Sequence, residues 1–151
     1  MAVSGLDFSA QVDAWTQKTR DRMTAVFRGS TQEAVQRIQA RVPVDTGFTR
    51  ASVRASKQSM PPLVDGARPE DGKSYAYDPG QVTMVIASAE LGETVFIGWT
   101  SSYALALEMG HSKQAPAGFV AITAIEWPQI VKGEIAKAQA AVAARPVPQS
   151  E

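Results

Sequence analysis

Val42-Pro43-Val44-Asp45-Thr46-Gly47-Phe48-Thr49-Arg50-Ala51-Ser52-Val53-Arg54-Ala55-Ser56 is the stretch that separates a helical pattern from a strand-rich one. Pro43 cannot continue a helix and favours extended geometry at Val42, and Asp45-Thr46-Gly47 forms a polar turn whose glycine can adopt a positive φ. After Gly47 the spacing of apolar residues changes from helical to roughly alternating. The stretch is therefore a junction between two kinds of secondary structure, not a catalytic cassette.

A long amphipathic helix is predicted before this junction. Its apolar or tolerated positions recur mostly at steps of three and four, as such a helix requires: Phe8, Val12, Trp15, Thr19, Met23, Val26, Ala34, Ile38 and Val42. Gly29-Ser30 is a weak point, which predicts either one bent helix or two consecutive helices. A helix of about 33 residues would be about 50 Å long, too long for one small domain to cover. Part of its stripe should then face another chain.

The middle of the chain predicts strands and a long loop. Thr49 to Lys57 has the pattern of a helical turn leading into a strand, and 58–80 is rich in Pro and Gly, which predicts a loop of about twenty residues. Residues 81–89 and 94–99 alternate as strands, with a Gly-containing hairpin connection at 90–93. Both runs are apolar on both faces, so we expect the sheet to be covered on each side.

The C-terminal part predicts a short and a long helix. Tyr103 to Met109 is a short helix that Gly110 ends, and 119–144 resumes helical spacing with Pro128 inside, as a kink or as the start of a second helix. We therefore predict one α+β domain over 1–151, with the loop at 58–80 and an extended tail at 145–151. In it, the long N-terminal helix, a short helix and a long C-terminal helix accompany a small, mostly antiparallel sheet of three to four strands.

Composition narrows the possible functions. The chain has no Cys, which excludes disulfides and thiolate sites, and no apolar run long enough for a membrane span or a signal peptide is present. Fifteen basic and fifteen acidic residues cancel overall. They are unevenly placed, because 18–57 holds nine basic and three acidic residues, a net of +6, and the rest of the chain carries −6. Such polarity can steer copies onto one another or onto a separate partner.

No set of residues in the sequence points to catalysis. Gly72-Lys73-Ser74 resembles the end of a phosphate-binding loop, but five residues separate Gly66 from Gly72 where that loop requires four. His111 is the only histidine, and no Cys or second His lies beside it. The sequence also lacks a Gly-x-Ser-x-Gly motif, whose serine nucleophile a histidine base would activate. The acidic residues of the long loop are spaced too widely for a calcium loop. We predict no enzyme, no cofactor and no metal site.

Two segments together resemble a protein family. Pro43-Val44-Asp45-Thr46-Gly47-Phe48-Thr49-Arg50-Ala51-Ser52 is similar to the Pro-x-Asp-Thr-Gly-x-Leu-Arg-x-Ser signature of the tail-completion, or head–tail joining, proteins of long-tailed bacteriophages. Tyr103-Ala104, Glu108-Met109-Gly110-His111-Ser112 and Ala115-Pro116-Ala117-Gly118-Phe119 resemble that family's Tyr-Ala-x-x-x-Glu-x-Gly segment and its Pro-x-x-Phe helix start. Thr49 replaces the usual Leu, and an Ala-x-Ile-Thr-Ala run replaces the usual Arg-Pro-Ala.

The resemblance implies a structural virion protein of the neck, located in the virion and, during assembly, in the host cytoplasm. Its partners would be further copies of itself in a ring, expected to have six members, tail terminator or tail tube proteins, and head-closure or connector proteins. DNA would pass through the channel as non-specific cargo, and no membrane would be involved. The motif or interface candidates are Asp45, Thr46, Gly47, Arg50, Tyr103, Glu108, Gly110 and His111, with Glu108 as one candidate partner for Arg50.

A second hypothesis starts from the basic segment 18–57. The alternative function is a small nucleic-acid-binding or regulatory module that uses this segment. Its basic residues do not concentrate on one helical face, and no aromatic residues are regularly interleaved with them. Helix-turn-helix and zinc-finger patterns are absent from the sequence. A weak electrostatic contact with DNA remains compatible with these features.

Overall fold

Helices dominate the computed structural model, which describes residues 5–110 and 117–146, with side chains from residue 7 onward. In chain order its elements are α1 (Gly5–Arg41), α2 (Phe48–Ala51), β1 (Val53–Ser56), α3 (Gly80–Ala87), β2 (Phe96–Trp99), α4 (Ala104–Glu108) and α5 (Phe119–Ala143). The α+β class and the long helices at both ends are confirmed. Residues 147–151 of the predicted tail lie outside the described residues. Within the described ranges, no helix combines the length and apolarity that crossing a membrane requires.

The N-terminal helix α1 is one continuous element that passes through Gly29-Ser30. A Cβ atom at Gly29 would meet the carboxylate of Glu134 on α5, and Ser30 is fully buried. The glycine weakens the helix locally, but it lets α5 approach the α1 backbone closely. The packing of α5 against α1 therefore explains why this site does not break the helix.

The sheet has two strands, so the prediction of three to four was wrong. β1 and β2 pair antiparallel, with Val53 opposite Trp99 and Ser56 opposite Phe96. The predicted strand at 81–89 is the helix α3, and 90–93 is a turn between α3 and β2 instead of a hairpin. A short apolar run fits either period, and here helical spacing buries Val82, Ile86 and Ala89 while Met84 is exposed.

The helix α3 takes the place of a third strand beside β1. The side chain of Gln81 accepts a hydrogen bond from the Ala55 N–H at 3.0 Å and donates one to the Ala55 carbonyl at 2.8 Å. One amide side chain thus satisfies both backbone groups that a neighbouring strand would pair. The open edge of β1 is covered at this point without another strand.

The helix α5 runs without interruption through Pro128. The sequence left open whether a second helix begins at this proline, and the structure has a single helix there. It packs along α1, and its first residue, Phe119, contacts Trp99 edge to face with ring centroids 5.8 Å apart. The buried core draws on both long helices, the sheet and α3. Its members are Val35, Ile38, Val42, Val53, Ala55, Val82, Ile86, Trp99, Ala104 and Phe119.

The predicted long loop is present between β1 and α3, and it is fixed to its own chain at several points. The Val64 N–H donates to the Thr100 carbonyl at 2.9 Å, and the Ser102 hydroxyl donates to the Ala67 carbonyl at 3.0 Å. Near the loop's start, Met60 and Pro61 lie over Gly98 of β2. The loop therefore covers part of the outer face of the sheet.

Candidate functional site

The predicted junction forms a tight turn that requires a glycine. Gly47 has a φ of 82°, and a Cβ atom at this position would collide with the carbonyl oxygen of Tyr75. The Tyr75 N–H donates to the Thr46 carbonyl at 2.8 Å, and the Phe48 and Tyr75 rings pack edge to face at 5.1 Å. Asp45 is exposed. The turn is thus clamped by the end of the long loop, a role within the subunit.

Ser101 links the two motif segments through buried hydroxyl groups. The Thr49 and Ser101 hydroxyl oxygens are 3.2 Å apart, and the Ser52 hydroxyl accepts a hydrogen bond from the Ser101 N–H at 3.1 Å. The Ser101 hydroxyl in turn accepts one from the Tyr103 N–H at 3.2 Å. Sequence reasoning did not single out Ser101, and only its position just before Tyr103-Ala104 could have drawn attention to it. The cluster joins the junction to the start of α4.

Gln39, a buried polar residue of α1, links the junction to the sheet. Its amide donates to the Arg50 carbonyl at 2.9 Å, and its carbonyl oxygen accepts a hydrogen bond from the Trp99 indole N–H at 2.9 Å. Both bonds hold groups that would otherwise be buried without a partner. Nothing in the sequence marked Gln39, because a single polar residue in an amphipathic pattern is unremarkable there. Its importance follows only from the packing.

Arg50 and Glu108, the expected ion pair, do not pair with each other. The Nε atom of Arg50 is buried without a hydrogen-bond partner among the described residues. Both carboxylate oxygens of Glu108 accept backbone hydrogen bonds at 3.0 Å from Val120 and Ala121 in the first turn of α5. A carboxylate there satisfies free N–H groups and opposes the positive end of the helix dipole. Glu108 therefore caps α5, and this candidate partner of Arg50 has its carboxylate engaged by the α5 backbone instead.

Two further motif candidates, Tyr103 and Gly110, flank α4. Tyr103 is the N-cap residue of α4 and is partly exposed, and Gly110 ends the helix with a φ of 94°. The Gly118 N–H donates to the Glu108 carbonyl at 2.8 Å, which brings the end of α4 to the start of α5. His111 lies outside the described residues. Where they are described, the candidates chiefly organise the fold.

Four of the nine basic residues of the basic segment, Arg28, Arg37, Arg41 and Lys57, form ion pairs with carboxylates of the same chain. Arg37 and Arg41 on α1 both bind Glu126 on α5, with the shortest contact at 2.6 Å, and Arg28 binds Glu90. Hydrogen bonds, that from Arg41 foremost, lower the pKa of Glu126 below its ordinary value. Glu33 and Glu126 raise the pKa of Arg37. The uneven charge seen in the sequence is thus partly neutralised inside the folded chain.

The N-terminal third of α1 has no covering from the described chain. Every residue from Asp7 to Lys18 is exposed, including Phe8 at 65% and Trp15 at 68%. With Val12 these residues continue the apolar face of α1 at helical spacing. Exposed apolar stripes of this kind are common at surfaces through which proteins contact other molecules. We call residues 7–22 the projecting segment.

An apolar groove of about 660 Å³ lies beside the base of the projecting segment. It opens between α1 and the C-terminal half of α5, and Leu91 closes one side. Its main lining residues are Met23, Val26 and Phe27 of α1 and Trp127, Val131, Ile135, Ala138 and Val142 of α5. We call this feature the α1–α5 groove. Its lining is predominantly apolar.

Potential metal ligands are not clustered in the part of the chain that the structure describes. Across 5–110 and 117–146, no cluster of three or more His, Cys, Asp or Glu side chains could hold a metal ion. The Thr49, Ser52 and Ser101 hydroxyls bond to one another and to backbone groups. The site that this fold does present is a pair of apolar surfaces, the projecting segment and the α1–α5 groove.

No protein-family model, curated protein or solved structure matches the chain.

Proposed function

We propose that this chain is a structural virion protein of the neck of a long-tailed bacteriophage, which completes the tail and joins it to the head. It assembles as a ring, expected to be hexameric, around the channel through which DNA passes. Its neighbours are the tail terminator or tube on one side and head-closure or connector proteins on the other. The two-part resemblance at 43–52 and 103–119 supports this assignment, and Ser101 links the two parts by contacting the Thr49 hydroxyl and accepting a hydrogen bond from the Tyr103 N–H.

The observation that carries the proposal is the uncovered projecting segment of α1. The whole helix is about 55 Å long, and the rest of the chain covers only its C-terminal part. Leaving Phe8, Val12 and Trp15 in water forgoes about 1.5–3 kcal/mol for each large apolar side chain that could be buried. A protein that works as one member of an assembly recovers this energy when it meets its neighbours.

The nucleic-acid alternative has one feature in its favour, three exposed basic residues on the projecting segment: Lys18, Arg20 and Arg22. Against it, Arg28, Arg37, Arg41 and Lys57 of the same basic segment form ion pairs with carboxylates of the chain. A side chain already paired loses that pairing when it binds phosphate, so it adds little to affinity. The folded charge distribution therefore favours assembly over DNA recognition.

Electron microscopy of phage lysates made with and without this gene tests the proposal. Without the protein we expect filled heads and free tails that do not join, and complementation with a tagged copy should place the tag at the head-proximal end of the tail. Normal virions in the absence of the gene, or a tagged protein that is absent from particles, would contradict it. Filter binding of the purified protein to DNA across a salt series examines the alternative, which predicts a steep fall in affinity as salt rises.

A further inference from the structure

We propose that the projecting segment of one copy occupies the α1–α5 groove of a second copy. A chain cannot place its own projecting segment there, because the segment and one wall of the groove belong to the same continuous helix. A projecting segment in this groove must therefore come from a second copy, whose apolar stripe matches the groove in chemistry and fits within its length.

The apolar stripe of the projecting segment and the α1 wall of the groove lie on one face of α1. At steps of three and four, this face runs Phe8, Val12, Trp15, Thr19, Met23, Val26, Ser30, Glu33, Arg37 and Arg41. From Ser30 to Arg41 the α5 helix covers it, as the Arg37 and Arg41 contacts with Glu126 show. Around Met23 and Val26 the two helices leave the groove between them. The uncovered surface is thus continuous with an interface that already exists in the fold.

The stripe also fits within the length of the groove wall. Phe8 to Thr19 spans eleven residue steps, about 17 Å of helix, and Trp127 to Val142 spans fifteen, about 23 Å. When the shorter segment is centred on the longer one, their centres coincide whether they run parallel or antiparallel. Trp15 lies near the centre of the stripe and Ile135 near the centre of the groove wall. We therefore expect these two residues to meet across the contact.

In the proposed arrangement each copy inserts its stripe into one neighbour and receives the stripe of another, which makes the contact head to tail. Repeated from copy to copy, such a contact closes into a ring or continues as a filament. This ring arrangement rests on the proposed neck function, whereas the docking of the segment into the groove does not depend on it. A chain that associates in solution but is absent from particles would refute the neck function alone. If a ring still forms in particles after the apolar stripe or the α1–α5 groove has been disrupted, the docking alone is refuted.

Sedimentation velocity of two complementary variants tests the docking. Trp15→Glu removes the stripe and leaves the groove intact, and Ile135→Glu does the reverse. Both side chains are substantially exposed, so native far-UV circular dichroism is expected for both variants. Wild type should form species larger than a dimer, each variant alone should be monomeric, and their equimolar mixture should form a heterodimer that grows no further.

Two matched variants control for the added charge. Ala10→Glu lies two residues from Phe8, off the stripe, and Ile125→Glu lies on α5 at a 79% exposed position that does not line the groove. Both should associate as wild type does. Monomeric wild type, wild-type association by either test variant, or a mixture that stays monomeric would overturn the docking. A wild-type chain that stops at a dimer would overturn the head-to-tail arrangement.

Disulfide trapping gives a second, independent readout, because the chain contains no native cysteine. Trp15→Cys carrying an affinity tag and Ile135→Cys without a tag are mixed and oxidised. We expect the cross-linked tagged and untagged product to form at least fivefold more than either like-with-like product. Equal amounts of the three products would contradict the predicted meeting of Trp15 and Ile135.

Discussion

The two ends of α1 carry the same type of apolar pattern in different surroundings. At the C-terminal end, Ile38 and Val42 are buried against the sheet and Gln39 holds the junction. At the N-terminal end, Phe8 and Trp15 are exposed. The helix is continuous between them. Helical periodicity therefore indicates that an apolar face of the helix is suited to being covered. Only the fold shows whether the same chain covers it or leaves it for another molecule.

The largest expected effect on stability distinguishes the two ends of α1. It compares the truncation of a buried residue at one end with that of an exposed residue at the other. Ile38→Ala should lower the free energy of unfolding by about 3 kcal/mol, since it removes buried methyl groups and leaves a cavity. Val12→Ala, the matched change in the projecting segment, should lower it by less than about 0.5 kcal/mol in the monomer. Urea unfolding at low protein concentration measures both. Equal losses would show that residues 7–22 are covered by the same chain.

A polar change at the covered end should have the next largest effect. Gln39→Leu leaves the Arg50 carbonyl and the Trp99 indole N–H without their partners, which should cost about 2 kcal/mol. Gln17→Leu on the projecting segment loses only an exposed hydrogen bond to Asp21 and serves as the control. If both variants unfold at the wild-type urea midpoint, Gln39 does not hold the junction.

The cap of α5 should contribute less. Glu108→Ala removes a carboxylate that accepts hydrogen bonds from Val120 and Ala121, and it should destabilise the fold by about 1 kcal/mol. Glu70→Ala, in the exposed loop, is the matched carboxylate loss and should change stability very little. Thermal melts at low salt compare them. A larger loss for the loop variant would contradict the capping role.

The smallest effect concerns the ion pairs that join α1 to α5 at the covered end. The pKa of Glu126 in the folded chain lies below its ordinary value of 4.5. Its pairs with Arg37 and Arg41 therefore stabilise the fold above that pH, and this contribution disappears as the pH falls through the lowered folded-state pKa. Glu126→Gln should accordingly destabilise the chain at pH 7 and approach wild-type stability in acid. A stability difference that is the same at every pH would exclude this origin.

Much of the fold could be predicted from spacing and turn chemistry. The long periods of α1 and α5, the Pro43 to Gly47 break and the Gly110 helix end gave the right elements, because each depends on local backbone geometry. The run at 81–87 was assigned wrongly, since Val82, Met84 and Ile86 fit an alternating pattern as well as Val82 and Ile86 fit a helical one. Only the packing against β1 separates the two.

The site was less predictable than the fold. An ion pair between Arg50 and Glu108 was reasonable on charge alone, yet Glu108 lies where the free N–H groups of α5 compete for its carboxylate. Gln39 and Ser101 act through partners more than forty residues away, which no local pattern reveals. The α1–α5 groove depends on how α5 packs along α1. By contrast, the excess length of α1 was visible in the sequence, and the prediction that its own chain would leave part of the stripe uncovered is confirmed.

Hydrogen exchange measured by mass spectrometry over a range of protein concentrations tests most directly whether another copy covers the projecting segment. Peptides from residues 7–22 should exchange rapidly in dilute protein and at least tenfold more slowly once copies associate. Peptides from 30–41 should be protected equally at every concentration, because α5 and the core already cover them. Rapid exchange of residues 7–22 at all concentrations would contradict the account, since no second copy would then be covering the stripe.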